Sequence, residues 1–215
     1  MSCCCPHSRS GGRLFSFVAR NYRKRFSKKG FEPSQTQLMT GLQQAGYEGA
    51  SVLEIGSGVG HLHMSMLEQG AATATGIDLA PKMIEEAVDW SKQRGLAERV
   101  HYFQGDFMEI LPQVTPAEVT VLDKVVCCYP DADGLVHRSL EKTLRVYALT
   151  YPRYRWSVRL AVGLGAILMK LIGSSFRPYA HNPAEIEAWI TAEGFDKVYQ
   201  NTTLIWLSQI YVKHR

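Results

Sequence analysis

The chain has 215 residues, which is enough for one complete α/β domain with a small elaboration but not for two independent cores. Its hydrophobic share of 46% and charged share of 20% are ordinary for a soluble globular protein. The net charge of +4 conceals an uneven distribution, since residues 1–30 carry eight Lys and Arg and no acid. The rest of the chain holds 16 Lys and Arg against 20 acids. These numbers predict a basic arm, residues 1–32, followed by one mildly acidic domain, residues 33–215.

The five cysteines lie in two runs, at positions 3–5 and 127–128. Adjacent cysteines rarely bridge each other, and the sequence has no spaced pairs that would indicate a disulfide framework. A reducing compartment, the cytoplasm, is therefore predicted. Zinc binding by the first run together with His7 is not expected, because contiguous residues cannot surround an ion without strain. No metal site is predicted.

From residue 33 onward, apolar residues recur alternately at strand-like and helix-like spacing. A helix from Pro33 ends at Gly46, and the last predicted helix starts at Asn182-Pro183 and ends at Gly194. Between them the spacing predicts, in chain order, a strand at 50–55, a helix at 61–69, a strand at 74–78, a helix at 81–94, a strand at 100–104, a short helix after 106, a strand at 119–122, a helix at 131–142 and a strand at 145–150. Two β-rich runs, 196–200 and 204–212, would close the chain as a hairpin. This alternation predicts a parallel, doubly wound sheet with right-handed crossovers.

The first predicted strand ends in the turn Glu54-Ile-Gly56-Ser57-Gly58-Val-Gly60. In open α/β sheets, ligands bind at the carboxyl ends of the strands, near the point where the strand order reverses. Glycines remove side chains where the backbone must approach a ligand, and they leave the N-terminus of the next helix accessible. Taken alone, this turn fits a nucleotide-like ligand and a plain strand-to-helix connection equally well.

Two acidic residues follow later strands. Asp78 ends the second strand, where a carboxylate can accept hydrogen bonds from both ribose hydroxyls. Asp106 follows the third strand and could accept a hydrogen bond from the exocyclic amine of an adenine. For both residues the alternative is a helix cap. Leu79 and Phe107 would provide apolar faces for the adenine ring.

The spacing of the glycines distinguishes between two candidate cofactors, a dinucleotide and S-adenosylmethionine. A dinucleotide site prefers G-x-G-x-x-G, whereas here Gly60 comes one residue early and His61 holds the sixth position. Glu54 beside the turn would repel a pyrophosphate but suits the cationic amine of a methionine moiety. These residues favour S-adenosylmethionine over NAD as the cofactor.

Over about residues 34–212, the order and spacing of the glycine turn, Asp78, Asp106 and the terminal strand pair resemble those of the class I S-adenosylmethionine-dependent methyltransferases. The resemblance implies a Rossmann-like, seven-stranded and mostly parallel sheet whose last strand is antiparallel. It also implies that Gly56 and Gly58 contact the methionine and ribose portion of the donor, Asp78 the ribose and Asp106 the adenine. The donor-binding residues predicted in this way are Glu54, Gly56, Ser57, Gly58, Gly60, Asp78, Leu79, Asp106 and Phe107.

Three segments, at 30–32, 128–130 and 178–181, are also similar to segments of the magnesium-protoporphyrin O-methyltransferases and of small bacterial methyltransferases related to them. That family has a histidine just before the Tyr-Pro that follows strand four, and this chain has Cys128 there. The family's N-terminal tyrosine is nearest to Tyr22 or Arg25. The resemblance hints at a porphyrin-like acceptor.

Methyl transfer from a sulfonium is an in-line displacement, which gains most from positioning and from exclusion of water. A general base is needed only if the acceptor must lose a proton. The predicted acceptor-side or catalytic residues are Asp123, Cys128, Tyr129 and His181, and each has a structural alternative; a cysteine, for example, is as often a small buried hydrophobe. Residues 151–177 would either cover the acceptor pocket or form an amphipathic helix packed on the sheet.

The basic arm has several interpretations: a lid over the donor site, attachment to anionic lipid helped by acylation of the first cysteine run, contact with nucleic acid, or, for residues 1–12, a solvated tail. The chain lacks the Asn-Pro-Pro-aromatic loop of nucleic-acid N-methyltransferases, so no specific nucleic acid is expected.

The leading prediction is methyl transfer from S-adenosylmethionine to a bulky or apolar small molecule, at oxygen or another heteroatom. The alternatives are an RNA or protein methyltransferase that uses the arm, and a non-catalytic S-adenosylmethionine-binding module.

Overall fold

The computed structural model describes residues 5–171 and 173–214. Its helices are α1 (Cys5–Lys29), α2 (Pro33–Ala45), α3 (His61–Glu68), α4 (Pro81–Gln93), α5 (Phe107–Ile110), α6 (Ala132–Leu140), α7 (Trp156–Leu171) and α8 (Pro183–Ala192). Its strands are β1 (Ser51–Ile55), β2 (Thr73–Asp78), β3 (Val100–Gln104), β4 (Ala117–Asp123), β5 (Thr143–Pro152), β6 (Phe195–Thr202) and β7 (Trp206–Lys213). Two of the three N-terminal cysteines, Cys3 and Cys4, lie outside the described residues, and so do the hypotheses built on them.

The strands of the described chain form one sheet in the order β3-β2-β1-β4-β5-β7-β6. The pairs among β1 to β5 are parallel, and β7 runs antiparallel to both β5 and β6. The chain builds outward from β1 to β3 on one side and then restarts at β4 on the other, so the strand order reverses between β1 and β4. The predicted fold, a doubly wound, mostly parallel seven-stranded sheet with an antiparallel last strand, is confirmed.

Two helical layers cover the sheet because successive strand residues point to opposite faces. Val52 packs in a cluster with residues of α1 to α4, among them Leu42 and Trp90. Its neighbour Leu53 packs in a second cluster with residues of α5, α6 and α8, among them Ile186. The carboxyl ends of β1 and β4 therefore open onto a crevice between the two layers, where ligands bind in folds of this type.

Local signals account for most of the element boundaries. Gly46 ends α2 with a φ of 76°, which is costly for residues with a Cβ. The Asn182 side chain caps α8 by accepting a hydrogen bond of 3.1 Å from the Ala184 backbone N–H. β5 extends two residues beyond its predicted end, because Tyr151 is buried and its hydroxyl donates a 2.6 Å hydrogen bond to the Gln209 side chain.

The segment predicted at 151–177 contains α7. Val158 is the sole buried residue of this helix among those described. The apolar surface that α7 buries is therefore confined to one face, and both interpretations of this segment stay predictions. No described helix is long and apolar enough to cross a membrane.

The close approach of α2 to the β6-β7 pair gives a test of the fold. A Cβ at Gly41 would lie 2.5 Å from Tyr199 Cδ1 and 2.6 Å from Ile210 Cγ1. We expect Gly41→Ala to lower the free energy of unfolding by about 1–3 kcal/mol, although alanine is the better helix former. Gly163→Ala in α7 is the matched control, since a Cβ there meets nothing within 4 Å, and it should stabilise by up to about 1 kcal/mol. Urea unfolding measures both, and equal effects of the two substitutions would contradict the packing.

Candidate functional site

The turn between β1 and α3 is compact and depends on glycine. Gly56 and Gly58 have φ values of 67° and 53°, in the left-handed region that favours glycine. A Cβ at Gly56 would also overlap the Val125 side chain, which follows β4. The Ser57 N–H donates a 2.8 Å hydrogen bond to the Ile77 carbonyl of β2. The turn is thus held between the ends of β2 and β4, and its backbone faces the crevice.

Asp78, at the end of β2, is tied to this turn. Its Oδ2 accepts a 2.8 Å hydrogen bond from the Gly58 N–H, and its Oδ1 accepts one of 2.8 Å from the Ala80 N–H. Ala80 is the N-cap residue of α4, so the interpretation of Asp78 as that cap is wrong. Burial, assisted by the charge of Glu54, raises the pKa of Asp78 to about 6, although the two backbone N–H groups oppose the shift.

Asp106 is a helix cap, which was the alternative to adenine contact. Its carboxylate accepts a 3.0 Å hydrogen bond from the Met108 N–H in the first turn of α5. It also accepts a hydrogen bond from the Tyr129 hydroxyl. Asp106 is 4% exposed, so these contacts fix the loop after β3 against the loop after β4. The adenine contact stays a prediction.

A cavity of about 200 Å³ lies over the carboxyl ends of β1, β2 and β4. Ten of the predicted site residues line it, and three, Gly60, Asp106 and His181, are not part of its wall. The predicted residues on the wall are Glu54, Gly56, Ser57, Gly58, Asp78, Leu79, Phe107, Asp123, Cys128 and Tyr129.

His181, predicted at the acceptor side, does not line the cavity. Its Nε2 donates a 3.0 Å hydrogen bond to the Tyr129 carbonyl, and its ring stacks on Tyr179 with the centroids 5.7 Å apart. Burial lowers the pKa of His181, so the ring is neutral at neutral pH. The structure gives this histidine a role in holding the loop that carries Tyr129.

Sequence reasoning missed a buried polar cluster formed by Gln35, His61 and Asp123. The Gln35 Nε2 donates to His61 Nε2 over 2.7 Å and to Asp123 Oδ2 over 2.9 Å. Burial lowers the pKa of His61, so the ring is neutral and its remaining proton is on Nδ1. His61 Nδ1 and Asp123 Oδ1 are buried and have no hydrogen-bond partner among the described residues. These two residues of the cavity wall, together with Ser57, whose Oγ is also buried without a partner among the described residues, leave polar atoms that a ligand could satisfy.

This cluster had only weak sequence signals. In the sequence His61 is only a departure from the dinucleotide motif, and Gln35 lies on α2, far from any motif. Lys124 also belongs to no motif. Although burial lowers the pKa of Lys124, Asp123 and Glu32 raise it further, so the ammonium stays charged. It pairs with Glu32 and, over 3.3 Å, with Asp123.

A second buried network supports Glu54. The His63 ring donates from Nδ1 to Glu54 Oε2 over 2.6 Å, and the His63 backbone N–H donates to the same oxygen over 3.2 Å. His63 Nε2 lies 3.0 Å from the Tyr102 hydroxyl of β3. Glu54 thus lines the cavity, and one of its carboxylate oxygens already accepts two hydrogen bonds from His63. Contacts with α3 and β3 set the orientation of its side chain.

Helix α1 forms the roof of the cavity. Phe15, Tyr22 and Phe26 contribute to the wall from this helix, and Phe176 contributes from the segment after α7. The roof is attached by Arg23, whose guanidinium contacts Glu86 over 3.1 Å and Asp89 over 2.7 Å on α4. Burial raises the pKa of Tyr22, so its hydroxyl is protonated at neutral pH.

Comparisons with known proteins agree with this geometry. Residues 52–147 match a family model described as a methyltransferase domain. A ribosomal protein L11 methyltransferase of Pectobacterium atrosepticum is 30% identical over 91 residues, which are 42% of this chain and 28% of that protein. The chain spans less than half the length of such curated relatives.

Solved structures resemble the whole described fold. The magnesium protoporphyrin IX methyltransferase (ChlM) of Synechocystis PCC 6803 with bound SAM aligns with a TM-score of 0.71 at 16% identity, over 97% of each chain. An O-methyltransferase family 2 protein of Planctomyces limnophilus in complex with apigenin aligns with a TM-score of 0.68 at 16% identity, over 93% of this chain and 62% of that chain. At these identities the likeness is one of fold.

Proposed function

We propose that this chain, in which residues 52–147 match a methyltransferase domain, is a class I S-adenosylmethionine-dependent methyltransferase. It would transfer the donor's methyl group to a bulky or apolar small molecule, at oxygen or another heteroatom. The observation that carries the proposal is the cavity itself. Its floor is a glycine turn with unsatisfied polar groups, and its roof is built from aromatic side chains of α1. The floor suits the donor, and the roof suits an apolar acceptor.

The unsatisfied groups on the floor fit the amino-acid end of the donor. The His61 N–H would donate to its carboxylate, and Asp123 Oδ1 would accept from its ammonium. Buried polar groups without partners cost about 1–3 kcal/mol each, so satisfying both favours binding. When bound, S-adenosylmethionine supplies an electrophilic methyl group on a sulfonium.

The other donor contacts follow from the ends of β2 and β3. Asp78 would accept from the ribose hydroxyls, since its two oxygens keep lone pairs beyond the backbone bonds they already accept. Leu79 and Phe107 would contact the adenine ring on its two faces. Because these residues lie on the ends of strands, they hold the donor in a fixed orientation.

The acceptor would lie between this floor and the roof, near Tyr22, Cys128 and Tyr129. Tyr22 is protonated at neutral pH, so it can donate a hydrogen bond but does not take a proton. Arg25 also lines the cavity and could pair with an acidic group on the acceptor. The residues of the site thus position the acceptor and exclude water. An acceptor that is already deprotonated at the attacking heteroatom, such as a carboxylate, needs no base.

The neighbours support a small acceptor, because two of them are named for a porphyrin and for bound apigenin, both of which are bulky ring compounds. The runner-up is a protein or RNA substrate recruited by the arm, which the similarity to ribosomal protein L11 methyltransferases supports. A module that binds the donor without turnover is the third candidate.

We also propose a peripheral membrane contact for the basic arm. On α1, Arg13, Lys24, Lys28 and Lys29 are exposed and form no ion pair with any described residue. Each such charge near an anionic bilayer contributes about 1 kcal/mol.

Methyl-labelled donor and a fractionated cell extract test the proposed function. We expect the label to enter the organic-soluble small-molecule fraction. Asp123→Asn should reduce the transfer at least about tenfold, because it removes a buried charge opposite the donor's ammonium. Asp133→Asn, an exposed residue of α6, is the matched control and should leave transfer unchanged. Label in protein or RNA would support the runner-up, and donor binding without any transfer would support the third candidate.

The raised pKa of Asp78 predicts a pH-dependent donor affinity. The carboxylate must be ionised to accept two hydroxyl protons, and below its pKa of about 6 it becomes protonated. Donor affinity measured by calorimetry should therefore be constant above pH 7 and fall by up to about tenfold per pH unit below pH 6. Asp78→Asn should bind more weakly but without this dependence between pH 5 and 8. A variant that keeps the wild-type pH profile would remove Asp78 from the ribose site.

The attachment of α1 to α4 should control how long the donor stays bound. The cavity of about 200 Å³ is smaller than the roughly 300–1,000 Å³ of pockets for drug-sized ligands, so α1 must move to admit two molecules. Arg23→Gln should raise the donor's dissociation rate about two- to fivefold, the usual range for a partly exposed ion pair. Lys24→Gln removes the same charge without an ion pair and should change little. Stopped-flow displacement measures both, and equal rates would argue against a roof held by Arg23.

A further inference from the structure

Helix α7 carries an apolar stripe that no described part of the chain covers. Its large apolar side chains recur at spacings of four and three residues, so they fall within about one third of the helix circumference. All of them are exposed, with Trp156 at 78% and Leu171 at 77%. The stripe consists of Trp156, Leu160, Leu164, Ile167, Leu168 and Leu171.

The opposite face of α7 turns toward the protein. Val158 is buried there, and Val162, Gly165 and Met169 are half-buried. A Cβ at Gly165 would lie 3.7 Å from the Pro178 side chain. One face of the helix therefore packs against the protein, while most of its large apolar side chains lie on the exposed face. An ordinary surface helix has the opposite arrangement.

The charges next to the stripe along the chain have one sign. No Asp or Glu occurs between positions 153 and 184, a stretch that holds five Lys and Arg. Arg159 and Lys170 flank the stripe on the same edge of the helix, where their long side chains can reach away from an apolar layer. A contiguous apolar patch rimmed by basic groups marks an interaction site and not a solvent-facing surface.

The end of α7 joins this basic surface to that of α1, which is also free of acids. The Ser10 and Ser175 hydroxyl oxygens lie 2.7 Å apart, and the Phe15 and Phe176 rings meet edge to face at 5.5 Å. Two acid-free segments thus meet at the wall of the cavity, to which Phe15 and Phe176 both contribute. A protein partner would need its own acidic apolar groove to match them, whereas an anionic lipid surface offers both negative headgroups and acyl chains.

We propose that α7 lies in the interface of an anionic membrane, with its apolar stripe among the acyl chains and its basic residues at the headgroups. The helix has 16 residues and is about 24 Å long, so it would lie along the surface, as interfacial helices do. Phe176, which lines the cavity, lies five residues after the end of the helix. A membrane-dissolved apolar molecule would therefore have a short path from the bilayer into the cavity.

Flotation with vesicles tests the proposal without any methyl donor, so its outcome is independent of the proposed function. The full-length protein should float with vesicles of phosphatidylcholine and phosphatidylglycerol and much less with phosphatidylcholine alone. The double variant Leu164→Glu/Ile167→Glu should lower the partition coefficient to anionic vesicles at least about tenfold. Val198→Glu/Leu204→Glu is the control matched in charge, because both residues are exposed apolar positions of the β6-β7 hairpin, and it should bind almost as wild type.

Three outcomes would overturn the proposal. The first is wild-type protein that stays unbound at low salt. The second is equal binding by both double variants, which would assign the contact to the basic arm alone. The third is a wild-type dimer, detected by light scattering, that Leu164→Glu/Ile167→Glu dissociates while vesicles bind nothing. Circular dichroism of the variants checks that each is folded, which exposed substitutions should allow.

Discussion

Buried carboxylates at one edge of the sheet are the constraint on which the site depends. Glu54, Asp78, Asp106 and Asp123 end or follow the parallel strands, and Glu54 and Asp106 are almost completely buried. An ionised carboxylate without partners in such a place costs several kcal/mol. Each therefore needs donors from a neighbouring element, and in the structure each has them. The donors are His63 for Glu54, the Gly58 and Ala80 backbone for Asp78, Met108 and Tyr129 for Asp106, and Gln35 and Lys124 for Asp123.

These donors connect the site to elements that precede the sheet. Gln35 lies in the first turn of α2, and its neighbour Glu32 pairs with Lys124. Lys124 has a φ of 61°, a conformation that costs a residue with a side chain about 1–2 kcal/mol. The ion pairs with Asp123 and Glu32 offset that cost. The N-terminus of α2, and with it the end of α1, is thus fixed over the ends of β1 and β4.

The fold was readable from the sequence because its signals are local. Glycines at 56, 58 and 60, short apolar strands and capped helices each act within a few residues, and together they specify the sheet. Most of the predicted donor-side residues also reached the cavity wall, since strand ends in a parallel sheet converge whatever else the chain does.

The rest depends on contacts between residues far apart in the chain. Gln35 and Asp123 are 88 positions apart, and neither residue's local sequence predicts a contact with the other. The resemblance predicts His181 at the acceptor, whereas in the structure its ring is engaged by the Tyr129 carbonyl and does not line the cavity. Asp106 is ambiguous for a different reason. An aspartate after a strand can cap the next helix or contact a ligand, and the sequence looks the same in both cases.

The two halves of the cavity differ in how they are supported. The half proposed for the donor is built on strand ends, where hydrogen bonds between neighbouring elements hold the side chains. The half proposed for the acceptor is built on α1 and on residues 173–177, which touch each other but add no strand to the sheet. Their positions follow from aromatic contacts, from the burial of Ala19 and from the ion pairs of Arg20 and Arg23 with α4. Small sequence changes there can therefore reshape the roof without disturbing the floor. This is why the residues of the floor identify the donor's class, whereas the acceptor must be sought through the roof and the surface beside it.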